Sequence, residues 1–303
     1  MSGSSGASWS RVPKGIGLSE WTQKLETRTS SLEQATRIAD TLSAILSEIN
    51  AHDYDAIDRH RSQIQSALAS EFELQNTRLG GTHARKTAVA GLSDVDMLAS
   101  LGDFHEGISS DQAIGEFASR LTDRFPNTEI IAGKMAVTLR FSDGIEMQVL
   151  PAFKSGDGYL ISDGNGGWKK TIPARFMGEL TRLNQSLAGN LVPTIKLARA
   201  LCEANRIEIA PYHLENIALR AFDGYSGSAT PPDMLQHLLG RAKALCLTPI
   251  PDMTGQSPFV DESVSADQRR AMATKFRQAE QRLAKALKDG DMERLKALME
   301  VHQ

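Results

Sequence analysis

The chain has 303 residues, 41% hydrophobic and 23% charged, the composition of an ordinary globular protein long enough for two domains or one large one. Its formal net charge of −3 argues against a protein that coats nucleic acid, although a local basic pocket stays compatible with it. No apolar run reaches the roughly 18 residues of a membrane span. Met1 to Ala7 is Gly/Ser-rich and lacks a hydrophobic signal core, so a flexible tail over 1–18 and cytoplasmic residence are the expectations.

Helical spacing of Leu25, Leu32, Ala35, Ile38, Leu42, Ile45, Leu46 and Ile49 predicts a long helix over about 19–49, with Ser19 as a plausible N-cap. A second helix, about 53–72, carries Ile57, Ile64, Ala67 and Leu68 as its stripe. Residues 74–79 read as a short strand entering Gly80-Gly81, and Ser93 to Leu101 as a strand interrupted by acids. An amphipathic helix over 111–125 ends before Pro126. Three short strands follow at about 128–132, 134–142 and 145–150, with Ser142-Asp143-Gly144 as a hairpin turn. Gly156 to Gly167 reads as a Gly/Asp-rich loop. From Pro173 onward the pattern is helical, over 174–187, 191–205, 211–222, 231–246, 265–285 and about 290–301. Cys202 and Cys246 sit in apolar helical settings, where buried thiols are expected. The shift predicts an α+β amino-terminal half and an all-helical carboxy-terminal half.

The chemistry concentrates in Gly80-Gly81-Thr82 and, eleven residues on, Ser93-Asp94-Val95-Asp96. On a strand, Asp94 and Asp96 face the same way. Two carboxylates on one face hold a divalent cation, and a glycine turn brings backbone N–H groups close to a phosphate. Leu92, Val95, Met97 and Leu98 make the surroundings apolar, and buried acids without a counter-charge are costly. Metals that neutralise a triphosphate and a cradle that holds it are what nucleotidyl transfer requires.

The run Gly81 to Val89 followed by Ser93-Asp94-Val95-Asp96 resembles the Gly-Ser…Asp-x-Asp signature of the polymerase β-like nucleotidyltransferase superfamily. Within it the chain resembles the bacterial cGAS/DncV-like nucleotidyltransferases, relatives of oligoadenylate synthetase. Glu146 to Phe153 resembles the strand that carries the family's third acid and ends in Val-Leu-Pro-Ala-Phe. Trp168 to Pro173 is similar to a Trp-x-x-Thr-x-Pro segment, Leu191 to Lys196 to the helix presenting a triphosphate lysine, and Tyr212 to Glu215 to a Tyr-x-Leu-Glu helix. Pro249 to Gly255 is similar to a late Asp-Pro-Thr-Gly loop, with Met253 in place of its proline. The resemblance covers roughly residues 20–285.

It implies an α+β fold: a polymerase β-like core with a mixed sheet over 19–175, backed by the long helix, and a helical domain over 176–303 closing the cleft. It implies Mg²⁺ or Mn²⁺ held by Asp94 and Asp96, and a triphosphate met by Gly81, Thr82 and Lys196. A snorkelling lysine is the competing reading of Lys196. Arg85 is read equally as a phosphate contact or a solvated arginine, and Tyr212 as a base-stacking or a packing residue. His83 is read as flanking the phosphate loop, and Trp168 as a packing rather than a binding residue. The chain departs from the family at Gln148, where an aspartate is usual. Glu146 shares a strand face with Gln148 and is the expected substitute, reaching the metal directly or through water. The implied activity joins nucleoside triphosphates into a cyclic or linear messenger for antiphage defence. That messenger would be read by a separate effector protein, with no membrane and no stable double-stranded nucleic acid as partner. Two alternatives stay open: a catalytically silent nucleotide-binding relative, motivated by Gln148, and an enzyme that makes linear DNA oligomers or modifies a macromolecule.

Overall fold

The computed structural model of the protein describes residues 18–102 and 107–300. The tail expected over 1–18 lies outside these residues except for Leu18, which opens the first helix, α1 (Leu18–Ile49). Ile38, Leu42, Ile45 and Ile49 are buried at alternating spacings of four and three, so the second half of α1 packs against the body. Leu25 and Leu32, expected on the same stripe, are exposed, because the first half of α1 runs past the elements it would have to pack against.

Asp53 starts α2 (Tyr54–Ala69) by accepting a hydrogen bond from the backbone N–H of Ala56 at 2.9 Å. Then come β1 (Leu74–Leu79), a one-turn α3 (Gly81–Ala84) and β2 (Val95–Leu101). Ser109 caps α4 (Ser110–Arg124) in the same way as Asp53 caps α2. Five strands follow: β3 (Glu129–Ala132), β4 (Val137–Arg140), β5 (Glu146–Ser155), β6 (Gly158–Ser162) and β7 (Trp168–Thr171).

The strands form one mixed sheet in the order β1-β2-β5-β4-β3, with β6 on the far half of β5 and β7 beyond it. β2 and β5 are parallel, and the other pairs are antiparallel. The parallel pair sets Asp96 opposite Gln148 and Leu98 opposite Leu150. α2 and α4 cover one face, where Ile64, Leu68, Phe117 and Leu121 pack on Met97, Leu139, Met147 and Val149.

Two strands depart from the expected loop and segment after residue 150. Gly158 to Ser162 pairs with both β5 and β7, because Tyr159, Leu160 and Ile161 have the side chains of a strand despite their glycine-rich flanks. Gly158 permits the approach: a Cβ there would lie 2.2 Å from the carbonyl oxygen of Thr171. β5 itself runs to Ser155, five residues beyond expectation, and accommodates Pro151.

The remaining chain is helical: α5 (Pro173–Ser186), α6 (Leu191–Ala204), α7 (Pro211–Ala221), α8 (Pro231–Leu245), α9 (Ala266–Asp289) and α10 (Met292–Ala297). Three of these, α5, α7 and α8, begin on a proline, where the missing N–H costs nothing. α9 opens on a Ser265–Gln268 capping box and runs past the expected 285 to Gly290, the first residue with left-handed backbone that stops it. A second core joins these helices to the buried half of α1, with Leu191, Ile195, Ile217, Leu238 and Phe276 fully enclosed. Cys202 and Cys246 are buried free thiols within it, as expected.

Candidate active site

A cavity of about 770 Å³ opens between the sheet and the helices, and Gly80, Gly81, Asp96, Leu98 and Leu150 form its sheet-side wall. Phe176 and Met177 of α5, Tyr212 of α7 and Thr254 form the opposite wall. The glycine turn is locked onto β2: the Gly80 N–H donates to the Asp96 carbonyl at 2.7 Å. Gly81 has a φ of +50°, and a Cβ there would fall 1.6 Å from Asp96 Oδ2. Only glycine lets the turn lie directly over the carboxylate.

Asp94 ends the loop before β2, and Asp96 is the second residue of that strand. The two carboxylates are short of partners. Burial and the neighbouring Asp94 charge push the Asp96 carboxyl up to about 6, with Arg85 opposing. Burial and the Glu146 charge likewise raise Asp94. Among the described residues, the hydrogen bond to Asp94 comes from the Gln148 amide, Nε2 to Oδ2 at 2.5 Å. Glu146 is turned to Arg140, whose Nε lies 2.8 Å from its Oε2, and the same guanidinium reaches Glu129 at 3.2 Å.

Behind this end lies a buried network. Arg85 Nε meets Glu215 Oε2 at 2.5 Å, and the Thr87 hydroxyl donates to the other Glu215 oxygen. Arg199 Nη1 donates to the Thr87 carbonyl at 2.7 Å and to Ser93 Oγ at 3.0 Å. Glu215 is fully buried, and this burial raises its carboxyl while Arg85 and Thr87 pull the other way. The segment 85–93, which joins the glycine turn to Asp94, is therefore pinned to α6 and α7. Arg85 still faces the cavity, with its guanidinium carbon 5.4 Å from the Tyr212 ring centre and 5.9 Å from that of Phe176.

Tyr212 is held by its hydroxyl, which donates to Asp252 Oδ1 at 2.8 Å, and by edge contact with Phe176. The structure thus brings Gly81, Arg85, Asp96 and Tyr212 to one cavity, with Asp94 and Gln148 joined to each other and set beside Asp96 through the strand register. Thr82 and Lys196 are not among the residues lining it. The Thr82 hydroxyl is buried without a hydrogen-bond partner among the described residues. Lys196 is buried on α6, and its ammonium donates to Asn50 Oδ1 at 2.5 Å; burial disfavours the charged forms of the nearby imidazoles of His52 and His83. Trp168 donates its indole N–H to the Ile108 carbonyl at 2.8 Å, away from the carboxylates.

Sequence reasoning missed Glu215 as the anchor of Arg85, and Arg199 altogether. The available signal was an ionisable residue set among apolar neighbours on each helix, Arg199 between Ala198 and Ala200 on α6 and Glu215 after Leu214 on α7.

The two carboxylates fit one divalent cation: both are desolvated, Asp96 accepts no side-chain hydrogen bond among the described residues, and the nearest guanidinium is already engaged by Glu215. No cluster of three or more His, Cys, Asp or Glu suited to a metal occurs among the described residues.

Residues 37–184 match the Second Messenger Oligonucleotide or Dinucleotide Synthetase domain, SMODS. A probable cyclic nucleotide synthase of Bacillus cereus is 28% identical over 177 residues, which are 54% of this chain and 53% of that protein. The chain thus spans about half the length of the curated relative it matches. Among solved structures, Escherichia coli CdnC with ATP superposes with a TM-score of 0.69 at 16% identity, over 86% of this chain and 97% of that one. CdnG of Bradyrhizobium diazoefficiens with GTP gives 0.64 at 13% identity, over 85% and 94%. Vibrio cholerae DncV gives 0.61 at 11% identity, over 95% and 92%. The α+β fold with its mixed sheet is theirs. The glycine turn seated on an Asp-x-Asp strand lies within the residues that match SMODS, and the fold around it is similar to that of CdnC and DncV.

Proposed function

We propose that the chain binds a nucleoside triphosphate in this cleft and joins it to a second nucleotide, making a cyclic or linear messenger. A ribose hydroxyl oxygen attacks the α-phosphorus, the bond to pyrophosphate breaks, and the hydroxyl proton passes to solvent. One observation carries this reading: Gly81 is pressed against a desolvated Asp96 so closely that no side chain fits between them. That arrangement sets backbone N–H groups beside paired acids, the chemistry of a phosphate–cation site.

Asp94 and Asp96 would hold Mg²⁺ or Mn²⁺, which when bound neutralises phosphate charge and polarises the reacting phosphorus. Gly81 gives the triphosphate close access to the backbone. The buried Thr82 hydroxyl, unpartnered among the described residues, is a donor in waiting, and Lys196 adds a point charge if it exchanges Asn50 for phosphate. Tyr212, fixed by Asp252 and Phe176, offers an aromatic wall for a base, and Phe176 and Met177 extend it. Arg85 and Arg199 act as positioning residues, holding the segment between the turn and Asp94.

The domain division at about residue 175 belongs to the same proposal: the core up to β7 carries the acids, and the helices from α5 carry the opposite wall. The product would act on a separate effector protein in antiphage defence. CdnC has been solved in complex with a HORMA protein, which supports a protein partner for this chain.

The test is incubation with all four NTPs and all four dNTPs, in Mg²⁺ and then Mn²⁺, with mass spectrometry of the products. Phosphodiester-linked products with stoichiometric pyrophosphate are expected. Labelled protein or RNA without small products would redirect the activity to a macromolecule. Gln148 favours a second reading, nucleotide binding without turnover, and nucleotide retention with no pyrophosphate would establish it.

A further inference from the structure

We infer that the carboxylate site is built for one divalent cation, with the Gln148 amide occupying the place where a second cation would need a charged ligand. This rests on the nucleotide-binding reading above and sharpens it.

The ligand inventory is short. A first Mg²⁺ needs one or two carboxylates and the substrate's own phosphates, and Asp94 and Asp96 supply the carboxylates. A second ion about 3.5–4 Å away would need a further anionic ligand to share it. Three positions could provide one, and each is committed elsewhere. The residue opposite Asp96 across the parallel β2–β5 pair is Gln148, whose amide is neutral. That amide donates to Asp94 Oδ2, so it consumes acceptor capacity of the first site instead of adding to it. Glu146, the next residue on the same strand face, pairs with Arg140, and Arg140 is held from its other side by Glu129. The remaining buried acid behind the site, Glu215, is bound by Arg85 and Thr87.

The consequence is asymmetric. The triphosphate keeps its cation, whereas the attacking hydroxyl would have no cation of its own. Turnover would be limited by activation of that hydroxyl, not by nucleotide binding.

The decisive measurement is a count of ions, independent of turnover. Mn²⁺ bound per chain is read by electron paramagnetic resonance, with and without a non-hydrolysable α,β-methylene ATP analogue, for wild type, Gln148→Asp and Glu146→Gln. We expect one Mn²⁺ in the wild-type complex, one in Glu146→Gln, and two in Gln148→Asp. Two ions in the wild type would overturn the inference, and their reduction to one in Glu146→Gln would show that Glu146 leaves Arg140 to bind the second. No ion in the wild type with or without the analogue would overturn it as well. If Gln148→Asp fails to fold, the wild type and Glu146→Gln decide the matter alone. Failure of the nucleotide reading is read separately: calorimetry would find no binding of the analogue in Mn²⁺, while the count of ions without nucleotide still stands.

Discussion

Two charged regions lie side by side in this molecule and are built on opposite principles. Around Glu215 the charges are paired: Arg85 forms an ion pair with one of its oxygens, Thr87 donates to the other, and Arg199 ties Thr87 to Ser93. Around Asp96 little is answered, and burial and the Asp94 charge leave its carboxyl at about 6. The first arrangement holds a backbone in place, and removing a member leaves an uncompensated buried charge. The second sacrifices stability for a site that a ligand completes. The same family of side chains serves architecture in one place and chemistry in the other, and the state of pairing distinguishes them.

Breaking the paired region produces the largest effect. Glu215→Ala strands Arg85 and frees Thr87, and should cost about 3–5 kcal/mol of folding stability, measured by urea denaturation. Glu215→Gln, which keeps the acceptor for Thr87, should cost less. Equal, small losses in both would mean that the network is not what pins segment 85–93.

The junction between the two regions is Gly81. Gly81→Ala drives a methyl group into Asp96 and should lower product formation by about 100-fold or more, the scale of a 1 Å misplacement. Its folding stability should fall by about 1–3 kcal/mol, the cost of a left-handed non-glycine residue, with displacement of the Asp96 side chain adding to it. A variant with near-normal turnover would detach the glycine turn from the chemistry.

Lys196 sharpens the comparison most finely, because it is a buried cation satisfied by a neutral amide. Lys196→Ala should weaken NTP binding roughly 10-fold, as loss of a charge-assisted contact would, while leaving nucleoside binding unchanged. Equal losses for both ligands would assign Lys196 to packing.

Much of this was legible in the sequence, for identifiable reasons. Long helices showed because Ile38, Leu42, Ile45 and Ile49 repeat with the helical period, and the acids showed because they interrupt an apolar strand. Asp94 was expected within that strand, whereas β2 begins one residue later. β6 was hidden because glycines and aspartates flank the short Tyr159-Leu160-Ile161 run, which pairs with β5 and β7 in the fold. The Arg85–Glu215 pair spans 130 residues of chain and exists only in the fold, so no local pattern announces it. For the same reason the long apolar helix α6 gave no hint that Lys196 meets Asn50 while Arg199 reaches the acid-bearing loop. The departure at Gln148 was visible at once, but its donation to Asp94 and the turning of Glu146 to Arg140 needed the register of β5 between β2 and β4.

The comparison stands or falls on Asp96→Asn, studied in metal-free buffer for stability and in Mg²⁺ for products from the same preparation. In the wild type the folded carboxyl titrates near 6 against an ordinary value of 3.8, so the folded state holds its proton more tightly than the unfolded chain. Below about pH 4 both states are protonated and Asp96 costs nothing; stability is lost as pH rises toward 6, and the full cost, about 1–3 kcal/mol, persists above it. The account predicts that Asp96→Asn is more stable than the wild type at pH 7–8, that this advantage vanishes near pH 4, and that the variant forms no product. A variant that is destabilised at pH 7–8, or that still joins nucleotides, would contradict it.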